Sequence, residues 1–236
     1  MAAEMAEFSP VNRSLSTPRP RSLAPLLLAT LLALTACGDD AADSRDTVAP
    51  SADGCAAADG SSLRVESFSA APPMCLEEGA AYVALIETNH GTLHIDLRAD
   101  IAPVTVNSFV NLARYHYYDD TTCHRAIQNF VVQCGDPTAT GRGGPGYNIP
   151  DELDRIEPYR YGSLAMANTG QPDSGGSQFF IITGDDGAML PQNYTLFGQV
   201  IDDDFGLVAQ LNNISNPVDG PPLEPIDITR ITIEQR

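Results

Sequence analysis

The pattern of hydrophobic and polar residues becomes regular at about residue 80. In "AYVALIETNHGTLHIDLRAD", Leu93, Ile95 and Leu97 alternate with polar residues, and the triplet "NHG" separates two such runs. A period of two is typical of β-strands that have one buried face and one wet face. A short turn with Asn and Gly between two such runs favours a hairpin. The sequence therefore predicts that the folded part begins with a β-hairpin.

Two segments have the spacing of helices instead. Residues 101–115 carry Pro103 where a first helical turn tolerates it, and apolar residues follow at spacings of three and four. These apolar residues are Val106, Phe109, Val110 and Ala113. Such spacing makes one apolar helix face. Residues 203–214, "DDFGLVAQLNNI", indicate a second helix.

The remaining apolar runs are short and are separated by Gly- and Pro-rich connections. They are "CHRAI", "FVVQC", "SLAMAN", "SQFFIIT", "TLFGQVI" and the closing "IDITRITIEQR". Many short strands with such connections are typical of a closed antiparallel barrel or a sandwich. We therefore expect a mainly β domain, with the two helices at the ends of a barrel.

The first residues have the features of a targeting segment. Three arginines precede "LAPLLLATLLALTAC", an apolar run that is too short to span a bilayer comfortably. Its ending, "LTAC", resembles a bacterial lipobox. This resemblance implies that residues 1–36 are a signal peptide, that cleavage precedes Cys37, and that lipid is attached to its sulfur. The alternative is a plain signal peptide with an incidental cysteine.

Residues 37–79 differ in composition from the rest of the chain. They are rich in Ala, Asp and Ser and have few large apolar side chains. Such a segment buries too little surface to offset its ordering entropy. We therefore expect an acidic tether, mostly disordered, followed by one folded domain at residues 80–236.

The charge excludes several functions. The formal net charge is −18, which argues against a nucleic-acid partner, because neutralising phosphates requires clustered Lys and Arg. All 13 basic residues are arginine, so a Schiff-base lysine and a phosphate-loop lysine are absent from the sequence. The acidity fits either a soluble surface protein or a salty habitat.

Four blocks occur in order along the folded part, namely "CHRAIQNFVVQCGDPTATGRGGPGY", "GSLAMANTG", "GSQFFI" and "FGQV". Together they resemble the cyclophilin-type peptidyl-prolyl isomerases, and with the hairpin and helices the match covers roughly residues 80–236. Any one block is a weak signal, whereas four in order are specific. The resemblance implies a closed eight-stranded antiparallel β-barrel capped by two α-helices, and isomerisation of X–Pro bonds. The combination of "QCGDPT" with "GGPGY" is most similar to bacterial members.

The same resemblance implies a site, position by position. Arg125 falls at the family's catalytic arginine, and Gln133 falls at the glutamine beside it. The implied substrate-binding residues are Phe130, Val131, Ala167, Asn168, Gln178, Phe180, Met189, Leu190 and Tyr194. Two of these depart from the commonest eukaryotic pattern, since Met189 stands where many members have tryptophan and Tyr194 where many have histidine.

An arginine suits this chemistry. Rotation about an X–Pro bond breaks no bond, so neither a nucleophile nor a metal is required, and we expect no cofactor. A permanently charged donor fork can interact more strongly with the twisted amide than with the planar one. If the faces of the predicted hairpin coincide, Gln133 lies beside Arg125 and can orient it. Taken alone, Arg125 is also explained by a structural ion pair with one of the many acids.

Four cysteines remain once Cys37 is set aside as the lipid site. They are Cys55, Cys75, Cys123 and Cys134. An even number in an exported protein suggests disulfides, and three pairings are possible. Cys123 and Cys134 flank one hairpin, but strict alternation opposes their pairing unless a bulge intervenes, whereas Cys55 and Cys75 would close a loop in the tether. A zinc site from Cys123, His124 and Cys134 lacks a fourth ligand.

These observations predict an exported prolyl isomerase, anchored to the bacterial cell envelope by lipid and assisting the folding of exported proteins. Its expected partners are proline-containing polypeptides and the membrane, and we expect a monomer. The rival is a non-catalytic module that binds proline-bearing peptides. The presence of Arg125 together with Gln133 speaks against that rival. A structural envelope lipoprotein is a third possibility, but it leaves the polar pocket residues unexplained.

Overall fold

The computed structural model describes residues 54–155 and 157–236. The expected signal peptide, Cys37 and residues 37–53 of the expected tether lie outside the described residues. Within the described ranges, none of the helices has the length and apolar character that a membrane span requires.

The described residues form nine β-strands and three α-helices. The strands are β1 Tyr82–Thr88, β2 Gly91–Leu97, β3 Thr121–Thr122, β4 Arg125–Ile127, β5 Val131–Cys134, β6 Ser163–Met166, β7 Phe179–Ile182, β8 Leu196–Val200 and β9 Asp227–Gln235. The helices are α1 Pro103–Arg114, α2 Asp185–Ala188 and α3 Phe205–Asn213, and a 3₁₀ turn, Asp202–Asp204, precedes α3. The first hairpin and both predicted helices are confirmed, whereas the short helix α2 was not predicted.

The strands form one antiparallel sheet in the order β3-β9-β1-β2-β8-β6-β7-β5-β4. The prediction of a mainly β fold is confirmed, but the prediction of a closed eight-stranded barrel is wrong, because the sheet is a curled half-barrel of nine strands. Its two edge strands, β3 and β4, do not pair with each other, since β3 pairs with β9 and β4 pairs with β5. The outer edge of β4 pairs instead with loop backbone, since the Ala126 N–H donates to the Gly220 carbonyl at 3.0 Å.

The main core lies between the sheet and α1. Nearly all of α1 is buried, and the ring of Phe109 contacts the rings of Phe179 and Phe197 at 5.5 and 5.3 Å between centroids. Alternation along the central strands sends Val132 and Ile181 into this core. The neighbouring side chains of the same strands point to the opposite face and form a second, smaller apolar cluster there. This second cluster contains Val131, Tyr159, Ala165, Phe180 and Ile182.

Residues 54–79, named here the strap, pack on the domain. A disulfide joins Cys55 to Cys75, and the side chain of Phe68 is buried in the main core. The Phe68 N–H also donates to the Pro145 carbonyl at 2.8 Å, and the Val65 N–H donates to the backbone of α1's end at 3.0 Å. The strap is therefore ordered, whereas the sequence led us to expect order only from about residue 80. The average composition of this segment gave no sign of its few buried apolar residues or of its disulfide.

The second disulfide joins Cys123 to Cys134. Cys123 lies between β3 and β4 and is outside the β4–β5 ladder, whose outermost pair is Arg125–Gln133. Strict alternation with Arg125 therefore does not constrain Cys123, and its sulfur can reach the last residue of β5 at the hairpin's open end. Because both sulfurs are in this disulfide, neither cysteine is free to bind zinc in the site considered from the sequence. The described part of the chain contains no cluster of three or more His, Cys, Asp or Glu placed to hold a metal ion.

Candidate active site

The β4–β5 hairpin places Arg125 directly opposite Gln133. The Arg125 Nη1 donates to Gln133 Oε1 at 3.4 Å, and Gln133 Nε2 donates to Gln178 Oε1 at 3.0 Å. Gln178 Nε2 in turn donates to the Gly143 carbonyl at 2.9 Å. A chain of side-chain amides therefore connects the guanidinium to the glycine-rich segment at residues 141–148.

A pocket of about 230 Å³, with aromatic and aliphatic side chains along most of its wall, opens beside this guanidinium. Its lining residues are Arg125, Phe130, Val131, Gln133, Ala167, Asn168, Phe180, Leu190 and Tyr194. The second apolar cluster supplies the floor, and the rings of Phe180 and Tyr194 meet edge to face at 5.2 Å. The Arg125 Cζ lies 5.7 Å from the centre of the Phe130 ring. The pocket thus has apolar side chains along most of its wall and one cation, the Arg125 guanidinium, at its edge.

A hydroxyl on the second apolar cluster supports one wall of the pocket. Tyr159 Oη donates to the Tyr194 carbonyl at 2.6 Å and accepts from the Tyr194 N–H at 3.0 Å. Burial raises the pKa of Tyr159 to about 12, despite the stabilising contact with the Tyr194 backbone. The hydroxyl therefore stays protonated at physiological pH and can hold the Tyr194 backbone in place.

A larger groove of about 770 Å³ adjoins the pocket, sharing Gln133, Ala167 and Asn168 with it. The glycine-rich segment 141–148 forms one side of this groove. Gln178 lines the groove and is absent from the lining of the small pocket. The structure therefore places this predicted residue next to the small pocket rather than inside it.

The buried carboxylate of Asp136 organises the glycine-rich segment. Its oxygens accept hydrogen bonds from the backbone N–H groups of Thr138, Thr140 and Gly143 at 2.8, 3.1 and 3.0 Å. Burial alone would raise the pKa of Asp136, but the hydrogen bonds outweigh it and hold this pKa at about 2. The carboxylate therefore remains charged and keeps the segment folded against the groove.

The family profile described as "Cyclophilin type peptidyl-prolyl cis-trans isomerase/CLD" matches residues 83–233, which contain both the pocket and the groove. The chain belongs to the cyclophilin-type peptidyl-prolyl isomerases. It is therefore an enzyme that interconverts the cis and trans forms of X–Pro bonds.

Similar peptidyl-prolyl isomerases occur in Mycobacterium tuberculosis and Staphylococcus aureus. A peptidyl-prolyl cis-trans isomerase A of Mycobacterium tuberculosis is 40% identical, over 65% of this chain and 93% of that protein. A putative peptidyl-prolyl cis-trans isomerase of Staphylococcus aureus is 36% identical, over 64% of this chain and 91% of that protein.

Solved structures share the fold. The crystal structure of a Cryptosporidium parvum cyclophilin type isomerase is 33% identical, with a TM-score of 0.61, over 66% of this chain and 99% of that chain. A second crystal structure of that protein, determined in the presence of the dipeptide Ala-Pro, gives a TM-score of 0.60. The curled antiparallel sheet described above is thus the cyclophilin fold.

One residue implied by the cyclophilin resemblance lies away from the pocket. Met189 is 82% exposed and does not line the pocket. It follows α2 directly, and its N–H donates to the carbonyl of Asp185, the first residue of that helix. The chain therefore turns Met189 toward solvent and its neighbour Leu190 toward the pocket.

Nothing in the sequence indicates which acidic residue pairs with Arg125. Arg125 Nε donates to Asp219 Oδ1 at 2.7 Å, and Nη2 donates to Oδ2 at 3.3 Å. Asp219 lies far along the chain, in the loop after α3. The ion pair considered as the alternative for Arg125 therefore exists, and the same guanidinium also lines the pocket.

Proposed function

We propose that this cyclophilin twists X–Pro bonds in the pocket between Arg125 and Phe180, acting on exported polypeptides from a lipid anchor at Cys37. The observation that supports the catalytic part most strongly is the joint position of Arg125 and Gln133 at the wall of the apolar pocket. A binding module that had lost catalysis would need the apolar cavity alone, so this pair favours an enzyme site.

The chemistry requires an electrostatic contact and no covalent step. Rotation about a peptide bond has a barrier of about 18–20 kcal/mol, because twisting removes the resonance of the C–N bond. In the twisted state the nitrogen lone pair becomes an acceptor. The guanidinium of Arg125 is a permanent, planar donor that can meet this acceptor. Since the contact strengthens as the bond twists, it accelerates the reaction rather than only binding the substrate.

The pocket supplies the binding energy for the proline ring. Phe130, Phe180 and Leu190 offer apolar surface on several sides of a cavity of about 230 Å³. Burying a small apolar side chain in such a place contributes roughly 1.5–3 kcal/mol. The groove beside the pocket gives room for the residues that precede the proline, along Ala167 and Asn168. Proline-containing polypeptides are therefore the substrates that this site fits best.

A crystal structure of this protein with Ala-Pro tests the substrate assignment. The Cryptosporidium parvum structure in the presence of that dipeptide supports the choice of ligand. We expect the pyrrolidine ring against Phe180 and Leu190, with the guanidinium of Arg125 within hydrogen-bond distance of the prolyl residue. A dipeptide bound only in the outer groove, with the pocket empty, would contradict the assignment. A Gly-Gly dipeptide, which lacks the ring, is the control and should leave the pocket empty.

Sequence and disulfide content support an exported, lipid-anchored form. The run ending in "LTAC" fits cleavage before Cys37 and acylation of its sulfur. Both disulfides of the domain fit an oxidising compartment outside the cytoplasm. A chain with several acyl groups on one cysteine stays on the membrane stably, whereas a single acyl chain holds only marginally.

The anchor is tested by replacing Cys37 with serine in cells fed labelled palmitate. We expect the wild-type chain to incorporate label and to sediment with membranes, and Cys37→Ser to do neither, because the acceptor sulfur is gone. Cys55→Ser is the control and should still incorporate label, since Cys55 is bonded to Cys75. Equal labelling of wild type and Cys37→Ser would rule out this cysteine as the anchor.

A further inference from the structure

The loop after α3 runs along the outer edge of β4. The Ala126 N–H donates to the Gly220 carbonyl at 3.0 Å, and the Asn216 N–H donates to the Ala126 carbonyl at 2.9 Å. The side chain of Asn216 braces the loop from within, because its Oδ1 accepts from the Val218 N–H at 3.1 Å. These contacts fix the backbone on both sides of Asp219 next to the strand that carries Arg125.

The carboxylate of Asp219 occupies one edge of the Arg125 guanidinium. It accepts from Nε at 2.7 Å and from Nη2 at 3.3 Å, while Gln133 accepts from Nη1 at 3.4 Å. A guanidinium has five N–H groups in one plane. Contacts at two separate edges fix that plane, and one N–H each on Nη1 and Nη2 is left for the pocket that Arg125 lines.

We propose that Asp219 is a positioning residue that holds the Arg125 guanidinium at the pocket wall for catalysis. The proposal rests on the catalytic role proposed for Arg125. Arginine has a long side chain with large rotamer freedom. Without a partner at the Nε edge, the guanidinium would spend less time in the orientation that meets the twisted amide.

The negative charge of Asp219 has an opposing effect, because it reduces the field of the guanidinium. The side chain of Asp219 is 71% exposed, so water screens its charge strongly. The two-point geometry of an arginine–carboxylate contact survives such exposure, since it depends on short, directed hydrogen bonds. The hydrogen bond from Arg125 also lowers the pKa of Asp219, which keeps the carboxylate charged at neutral pH. The orienting effect of Asp219 therefore exceeds its reduction of the guanidinium field, and removal of Asp219 should slow the enzyme.

The test compares variants of the full chain. We expect Asp219→Ala to lower kcat about tenfold, with KM changed by less than about twofold, because a directed charge-assisted contact is lost while the pocket stays intact. Asp219→Glu should recover part of the loss, whereas Asp219→Asn should recover less. Glu224→Ala changes a carboxylate of the same loop without touching Arg125, and should retain the wild-type kcat.

A nuclear magnetic resonance signal reports the contact directly. In the wild type the Arg125 Nε–H should exchange slowly with water, and in Asp219→Ala it should exchange fast. Wild-type kcat in Asp219→Ala, with Arg125→Ala inactive, overturns the inference and leaves the catalytic role of Arg125 intact. Wild-type kcat in both variants overturns the inference about Asp219 and the catalytic role of Arg125. A loss of kcat that comes with a lowered unfolding midpoint in Asp219→Ala also overturns the inference, since Asp219 would then act on the fold.

Discussion

Replacing Arg125 with alanine is expected to lower kcat for X–Pro isomerisation by roughly 10²- to 10³-fold, the usual effect of removing one preorganised donor from a transition state. The guanidinium lies at the wall of the apolar pocket and is held by Gln133 on one side and Asp219 on the other. The contact strengthens as the amide twists, so the loss should appear in kcat more than in KM. Rates measured over a range of peptide concentrations separate the two constants.

Two further variants control this experiment. Arg125→Lys keeps the positive charge but lacks the planar fork, so we expect activity well below wild type. Arg236→Ala removes an exposed arginine at the chain terminus and should leave kcat unchanged. Circular dichroism should show the same fold in all variants. Activity of Arg125→Ala within twofold of wild type would contradict the proposed mechanism.

The second large effect concerns stability and the strap. We expect Phe68→Ala to lower the free energy of unfolding by about 3–5 kcal/mol, the range seen when a buried phenylalanine is truncated. The Phe68 ring packs against Tyr115, Tyr117 and Tyr147 at 5.5, 6.2 and 6.1 Å between centroids. Tyr147 also lines the groove, so the strap supports the substrate site as well as the core. Denaturant unfolding at equilibrium measures the change.

Leu63→Ala is the matched control for the strap. Leu63 belongs to the same segment but is 77% exposed, so its truncation should change the free energy of unfolding by no more than about 0.5 kcal/mol. Equal stabilities of Phe68→Ala and Leu63→Ala would show that the strap does not pack as described.

Periodicity identified the elements that have a strong local pattern. The alternation of Leu93, Ile95 and Leu97 predicted β2, and the spacing of apolar residues predicted α1. Closure of the sheet could not be predicted in this way, because it depends on which distant backbone segment pairs with each edge. The strap was missed for a related reason. Phe68 and its few apolar neighbours stand in a polar stretch, and only tertiary contacts show that they are buried.

The same limit applies to the site. Arg125 and Gln133 lie in one hairpin, so strand geometry alone indicated that they could meet. The contributions of Tyr159 and Asp219 depend on loops folding back from distant parts of the chain. No local pattern marks such residues. Met189 is the reverse case, a residue that was predicted in the site and is exposed instead. Its position was inferred from family spacing, which does not indicate how a short helix turns the side chain.

The central claim is that Arg125 speeds rotation about the X–Pro bond without being needed for peptide capture. Exchange spectroscopy on an Ala-Pro-containing peptide tests it most directly, since one spectrum reports both binding and cis–trans exchange. We predict fast exchange with the wild type, and with Arg125→Ala a bound peptide whose cis and trans signals exchange roughly 10²- to 10³-fold more slowly than with the wild type. Exchange at the wild-type rate in Arg125→Ala would contradict the account.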